Sequence, residues 1–227
     1  MKQLSYQEET IESKNPIARF AHRNRLRRSI AFCARVLPPG GSVLDYGCGD
    51  GTFVRKIENL GYRAFGYEPY MEGKTFSQIY RDFSDLENMP LQVDMMTVFE
   101  TIEHLSEDEL LELLARSKKV LSPKGKILFS APIEIGPSLL LKILNRNRRY
   151  GRPLFDKVSA STLKAALFGL PEARDEDIKY SHKGYDFRRS IAFVKAQGFD
   201  VSVLAYGPLP LPTWYGNSQV YFLAAAG

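Results

Sequence analysis

The 227-residue chain predicts an α/β fold: a mostly parallel seven-stranded sheet with helices on both faces and an antiparallel last strand. Three observations lead there. Short apolar runs alternate with segments of helical period through residues 42–132. A turn rich in glycine, "VLDYGCGDG" at 43–51, follows the first of those runs directly. Finally, the last two apolar runs, 200–207 and 218–226, are separated by about ten residues, too few for the crossover that parallel neighbours need.

Local signals place each element. Residues 15–37 form a helix, with Asn15 as its cap, Pro16 at its first position and Pro38-Pro39-Gly40-Gly41 as its stop. Ser42–Tyr46 is the first strand. After the glycines, "TFVRKIENLG" (52–61) has helical spacing and closes at Gly61. Strands follow at 63–69, 77–83 and 92–100. "SEDELLELLARSKKVL" (106–121) opens on a cap and early acids and closes on lysines, as a helix dipole favours. Pro123-Lys124-Gly125 turns into a fifth strand, "KILFSAP" (126–132). Residues 133–180 break the rhythm, carry Gly136, Pro137, Pro153 and Pro171, and read as an inserted helical lid. A helix at 185–199, ending near Gly198, and the two final strands complete the chain. It reads as one domain: a helical cap (1–40), a core (41–132), the lid (133–180) and a closing helix with two strands (181–227).

Composition narrows the class. With 44% hydrophobic and 25% charged residues the chain is an ordinary globule. No apolar run approaches the roughly 20 residues of a membrane span. The opening "MKQLSYQEETIESK" lacks the apolar core of a secretory signal. Cys33 and Cys48 have neither metal spacing nor the look of a disulfide framework, so a reducing cytoplasm is the expected setting. The net charge of +5 is concentrated in "RFAHRNRLRR" (19–28) and "LKILNRNRRYGR" (141–152). Such clusters are either solvated helix faces or holders of phosphate, anionic lipid or RNA.

The glycines stand at the carboxyl end of the first strand, where doubly wound sheets bind ligands. Glycine lets a ligand approach bare backbone, and a helix start offers free N–H groups to an anion. A dinucleotide site wants G-x-G-x-x-G/A, but Thr52 occupies the last position here. The glycines run instead Gly47-x-Gly49-x-Gly51 behind Asp45, with Glu68 at the end of the second strand. This D-x-G-x-G-x-G pattern with its downstream acid resembles motif I of the class I S-adenosylmethionine-dependent methyltransferases. The resemblance covers roughly 40–132 and the last forty residues. It implies a Rossmann-like fold and S-adenosylmethionine as cofactor. Asp45, Gly47, Cys48, Gly49 and Gly51 would then receive the methionine part, and Glu68 would accept hydrogen bonds from both ribose hydroxyls. Asp82 and Phe83, after the third strand, would read the adenine, with Phe99 also among the cofactor-binding residues.

"FETIEHL" (99–105) follows the fourth strand, beside the expected methyl group. In a helical turn, Glu100, Glu103 and His104 share one face. Two carboxylates and an imidazole can hold Mg²⁺ or Mn²⁺. E-x-x-E-H resembles the metal-carrying segment of two methyltransferase groups, one acting on quinone precursors and one on the terminal ribose of small RNAs. The second group adds a late histidine, and "SHKGYDFRR" supplies His182. The competing reading is a metal-free pocket in which His104, then His182, serves as the base. No D/N-P-P-Y/F tetrapeptide follows the fourth strand, so oxygen is the expected acceptor atom.

"SLLLKILNRNRRYGR" (138–152) is a basic amphipathic helix, either packed on its own domain or lying on a membrane surface. Trp214 and Tyr215 either wall an acceptor pocket or plug a loop. "HKGYDFRR" also looks like segments of methyltransferases encoded among surface-polysaccharide enzymes. The expected activity is O-methylation of a small molecule, saccharide or lipid-linked acceptor. Metal-assisted RNA 2′-O-methylation and a non-catalytic cofactor-binding scaffold are the alternatives.

Overall fold

Neighbouring residues of the central strands are both buried: Val43 and Leu44, Met95 and Met96, Ile127 and Leu128. Successive strand side chains point to opposite faces, so both faces of such a sheet must be covered. The computed structural model describes residues 16–70, 78–89, 91–149, 151–156 and 158–226, and it shows that arrangement. The strands are β1 (Ser42–Tyr46), β2 (Arg63–Tyr67), β3 (Ile79–Tyr80), β4 (Val93–Phe99), β5 (Leu121–Pro132), β6 (Phe199–Gly207) and β7 (Gln219–Ala226). The described helices are α1 (Pro16–Val36), α2 (Thr52–Glu58), α3 (Phe83–Glu87), α4 (Glu107–Val120), α5 (Pro137–Arg149), α6 (Ala160–Phe168) and α7 (Phe187–Ala196).

The sheet order is β3-β2-β1-β4-β5-β7-β6. β1 runs parallel to β2 and β4, and β4 to β5, while β7 runs antiparallel to both β5 and β6. The expected reversed last strand is therefore present. On one face Leu44, Met96 and Phe129 pack with Leu110 and Leu113 of α4 and Val194 of α7. On the other, Val43, Met95 and Leu128 pack with Cys33 of α1 and with Phe53 and Ile57 of α2. Both cysteines are buried free thiols.

Several boundaries differ from expectation for physical reasons. Asn15 and Ser77 lie outside the described residues, and β3 is only two residues long. Pro123-Lys124-Gly125 does not precede β5 but interrupts it: pairing moves from Val93↔Leu121 to Met95↔Lys126, two steps on β4 against five on β5. Proline lacks the N–H that a regular ladder would use there, and a bulge absorbs it. The sharp start of α4 was legible: Ser106 and Glu109 form a reciprocal capping box.

Between β5 and α7 the chain forms α5 and α6. Leu139 and Ile143 of α5 are buried against Ala165 of α6 and Val158. Asn147 is buried, and its Nδ2 donates to the carbonyls of Leu154 at 2.9 Å and Asp156 at 2.8 Å. Trp214 packs its ring against Gly136 and Gly169, the plug arrangement. Among the described residues no helix is long and apolar enough to cross a membrane.

Candidate active site

The carboxyl edge of the sheet gathers the predicted cofactor residues. As the chain leaves β1, the N–H groups of Gly47 and Cys48 donate to the Tyr67 carbonyl at 2.8 and 3.1 Å, tying the turn to β2. Gly47 has φ +77°, and a Cβ there would lie 2.6 Å from Thr101 Oγ1. Only glycine brings the turn so close to the segment after β4. Gly49 has φ +52°, and a Cβ there would meet nothing within 4 Å, so its backbone borders open space. Glu68 accepts hydrogen bonds from the N–H of Gly49 at 3.1 Å and of Tyr70 at 3.3 Å. Asp45 is buried and accepts from Thr97 Oγ1 at 2.7 Å. Burial pushes its carboxyl up to about 7, with Glu68 adding and the Thr97 hydrogen bond opposing.

The remaining predicted cofactor residues lie at the same carboxyl ends and make these contacts within the chain. The Cys48 thiol is buried in the space over Gly66, where a Cβ would come within 2.6 Å of it, so this side chain belongs to the core. Asp82 caps α3, accepting from Ser84 N at 2.9 Å, and those hydrogen bonds hold its carboxyl below the usual range. Phe83 is buried 5.1 Å from the ring of Tyr67 and 5.9 Å from that of Tyr46. Of the pair assigned to adenine, Phe83 is therefore a core residue and Asp82 an exposed cap. Phe99 packs edge-on against Phe53 at 5.1 Å. Gly51 caps α2 in the left-handed conformation, and Thr52 N donates to Asp50 Oδ1 at 3.0 Å, so that helix start is already partly satisfied.

The E-x-x-E-H segment does not form one helical face. The helical turn begins at Ile102, after Glu100, which has φ +51°. Glu100 accepts from Ser130 Oγ at 3.1 Å and Gln219 Nε2 at 2.8 Å, and pairs with Arg25. Burial opposes its charge, but Arg25, Gln219 and Ser130 outweigh burial and hold the carboxyl below its usual range. Glu100 is therefore separated from the other predicted ligands by a change of backbone direction.

Glu103, His104 and His182 do come together. The two imidazole Nε2 atoms are 3.1 Å apart, and a Glu103 oxygen lies 3.8 Å from that of His182 and 4.0 Å from that of His104. Glu103 is buried, and neither carboxylate oxygen has a hydrogen-bond partner. Burial, then the nearby Glu100 charge, push its carboxyl well above the usual range. His104 Nδ1 lies 3.0 Å from the Ile178 carbonyl. A carbonyl only accepts, so His104 carries a proton on Nδ1. In the neutral pair His104 Nε2 then accepts and His182 Nε2 donates, which leaves the free lone pair on His182 Nδ1. Burial lowers the His182 pKa and favours this neutral form.

His182 is held by a strap, residues 173–185. Arg174 donates to the carbonyls of Glu103, Ser181 and Lys183, bolting the strap to the turn after β4. Gly184 touches the Ala173 backbone so closely that any side chain would collide. Residues that sequence reasoning missed are Arg25, Thr97, Ser130, Gln219 and Arg174. Arg25 lay inside the flagged basic cluster; the others carry no pattern of their own.

A family model described as a methyltransferase domain matches residues 18–167. The chain belongs to the methyltransferase-domain family. An uncharacterized methyltransferase of Bacillus mycoides (strain KBAB4) is 29% identical over 101 residues, 41% of this chain and 48% of that protein. The chain thus spans about half the length of the curated relatives it matches. A SAM-dependent methyltransferase from Archaeoglobus fulgidus superposes with a TM-score of 0.53 at 16% identity, covering 91% of this chain and 97% of that one. One from Aquifex aeolicus gives 0.52 at 15%, covering 90% and 93%. At such identities these two likenesses show the fold alone. The chain has its glycine turn, its buried acid and its imidazole pair on the carboxyl edge of the sheet.

Proposed function

We propose that this methyltransferase transfers the methyl group of S-adenosylmethionine to a hydroxyl oxygen of a small molecule or saccharide, free or lipid-linked. One observation carries the cofactor: Gly49 N–H donates to the Glu68 carboxylate at 3.1 Å at a turn whose Cβ side at Gly49 is open, and Asp45 at the end of β1 is buried. Both groups can exchange their mutual bond for bonds to a ligand's hydroxyls. Asp45 and the glycine turn suit the ammonium and carboxylate of the methionine part. When bound, S-adenosylmethionine supplies the methyl as a sulfonium substituent, open to in-line displacement. The chain's own residues then orient the acceptor and exclude water. His182 Nδ1 takes the acceptor's hydroxyl proton, with His104 behind it. This reverses the order expected from sequence, because both nitrogens of His104 are already engaged.

Calorimetry with S-adenosylmethionine tests the cofactor assignment. Glu68→Ala should weaken binding by about 2 kcal/mol, the cost of lost ribose hydrogen bonds. Unchanged affinity, or no binding by the parent protein, would refute it and favour a scaffold. For the acceptor, label from the methyl group should appear in the lipid or small-solute fraction of a cell extract; label in RNA would support the 2′-O-methylating alternative. That alternative has lost ground, since Arg25 pairs with Glu100, and Arg28 donates to the Tyr206 and Pro208 carbonyls. A cytoplasmic setting, where both thiols stay reduced, accords with this reading.

A second reading rests on the unpartnered Glu103 carboxylate. Glu103, His104 and His182 each offer one ligand atom, all within 4.8 Å of one another. The His104 Nδ1 contact to Ile178 is the outer-shell bond that a metal-binding imidazole commonly makes. These residues fit Mg²⁺ or Mn²⁺, which would polarise the acceptor oxygen. Glu100 takes no part. If the site binds Mn²⁺, a concentration a hundredfold above Kd should stabilise the protein by about 2.7 kcal/mol in thermal melts. Glu103→Gln should abolish the shift. A parent protein that melts identically with Mn²⁺ and with chelator leaves the metal-free pocket.

A further inference from the structure

The outer side of α6 leaves large apolar side chains in water. This helix buries Thr162, Ala165 and Ala166 and presents Leu163, Leu167 and Phe168 on the opposite arc, with Leu170 just beyond. They are 44, 54, 70 and 57% exposed. Leu163 and Leu167 lie one turn apart, as do Lys164 and Phe168, so these four share one helix surface. The loop that enters α6 adds Leu154 and Phe155, 54 and 70% exposed. None of this is loose chain. Ala165 and Val158 are packed against α5, Asn147 holds the carbonyls on either side of Phe155, and Ser159 and Thr162 cap the helix reciprocally. An ordered exposed apolar patch marks an interaction surface.

Charge identifies the occupant. Residues 137–170 contain seven lysines and arginines against a single acid, Asp156. Arg146, Arg148, Arg152 and Lys164 are exposed. A second copy presenting the same face in a twofold contact would bring like charges together. Nucleic acid would leave the leucines unused, since bases stack on rings. An anionic lipid surface uses both kinds of residue: apolar side chains enter the acyl boundary while the cations meet head groups. We propose that α6 and the loop before it dock this chain on an anionic lipid surface through Leu154, Phe155, Leu163, Leu167, Phe168 and Leu170. The contact predicted for 138–152 thus moves one helix along, because α5 turns Leu139 and Ile143 inward.

Sedimentation of the full chain with vesicles tests this. The protein should pellet with vesicles containing about a third phosphatidylglycerol, far less with pure phosphatidylcholine, and less as salt rises. A Leu167→Ser, Phe168→Ser double variant should lose at least about tenfold in partitioning, with its thermal midpoint unchanged. Lys164→Glu should weaken binding to the anionic vesicles alone. The proposal is overturned if the parent protein stays in the supernatant with both vesicle types, or if the double variant pellets equally. It is also overturned if, without vesicles, the parent is a dimer that the double variant dissociates, because the face would then belong to a second copy.

Discussion

Asp45→Asn should yield a protein more stable than its parent at pH 8 and poorer at binding S-adenosylmethionine. Asparagine keeps the acceptor for the Thr97 hydroxyl but carries no charge. The parent carboxyl titrates near 7 when folded, chiefly through burial, against about 3.9 in an unfolded chain. A raised folded value means that the protonated form is favoured by folding. Its contribution is fully present below the unfolded value and lost as pH climbs to about 7. The advantage of Asn should therefore open between pH 4 and 7 and stay constant above that. On the order of 4 kcal/mol is expected at pH 8, roughly 8–16 °C in melting temperature for a domain of this size. Melts of both proteins from pH 4 to 8 read it directly; a gap that does not widen with pH contradicts the buried charge. The loss in affinity is expected from the proposed role of Asp45, in which the ionised acid meets the cofactor's ammonium.

The second large effect concerns turnover. His182→Ala should lower it by about 10²–10⁴-fold, the usual worth of a positioned general base, with cofactor affinity unaltered. His104→Ala should cost less, since it acts through its neighbour. The parent's rate should stay level to below pH 6.5, because burial holds His182 neutral there, and fall only in more acidic solution. A rate indifferent to His182, or an acid limb above pH 6.5, removes it as the base.

Much of this was legible in sequence, for identifiable reasons. Asp45, Gly47, Gly49 and Glu68 sit at the ends of strands whose position follows from local signals, so the crevice they border could be drawn in advance. Spacing misled where it assumed a helix. Glu100, Glu103 and His104 share a face only if the turn starts at Glu100, and it starts at Ile102 because Glu100 is held by Arg25, Ser130 and Gln219. Those three partners are 75, 30 and 119 residues away, beyond any local pattern. Cys48 and Phe83 stood in the right stretch but turned to the core, a choice set by Gly66 and by the Tyr46 and Tyr67 rings. The lid misled in another way. Its amphipathic helix advertises a face that α6 covers, whereas α6, rich in alanine and leucine, carries no polar stripe to announce which side is out.

The two rings of the imidazole pair belong to different parts of the chain. His104 is carried by the sheet and His182 by the strap that Arg174 ties down. Whatever seats the strap completes the pair, and whatever lifts it parts the rings. The proposed proton acceptor is thus assembled from two segments distant in sequence, and it depends on the Arg174 contacts that hold the strap in place.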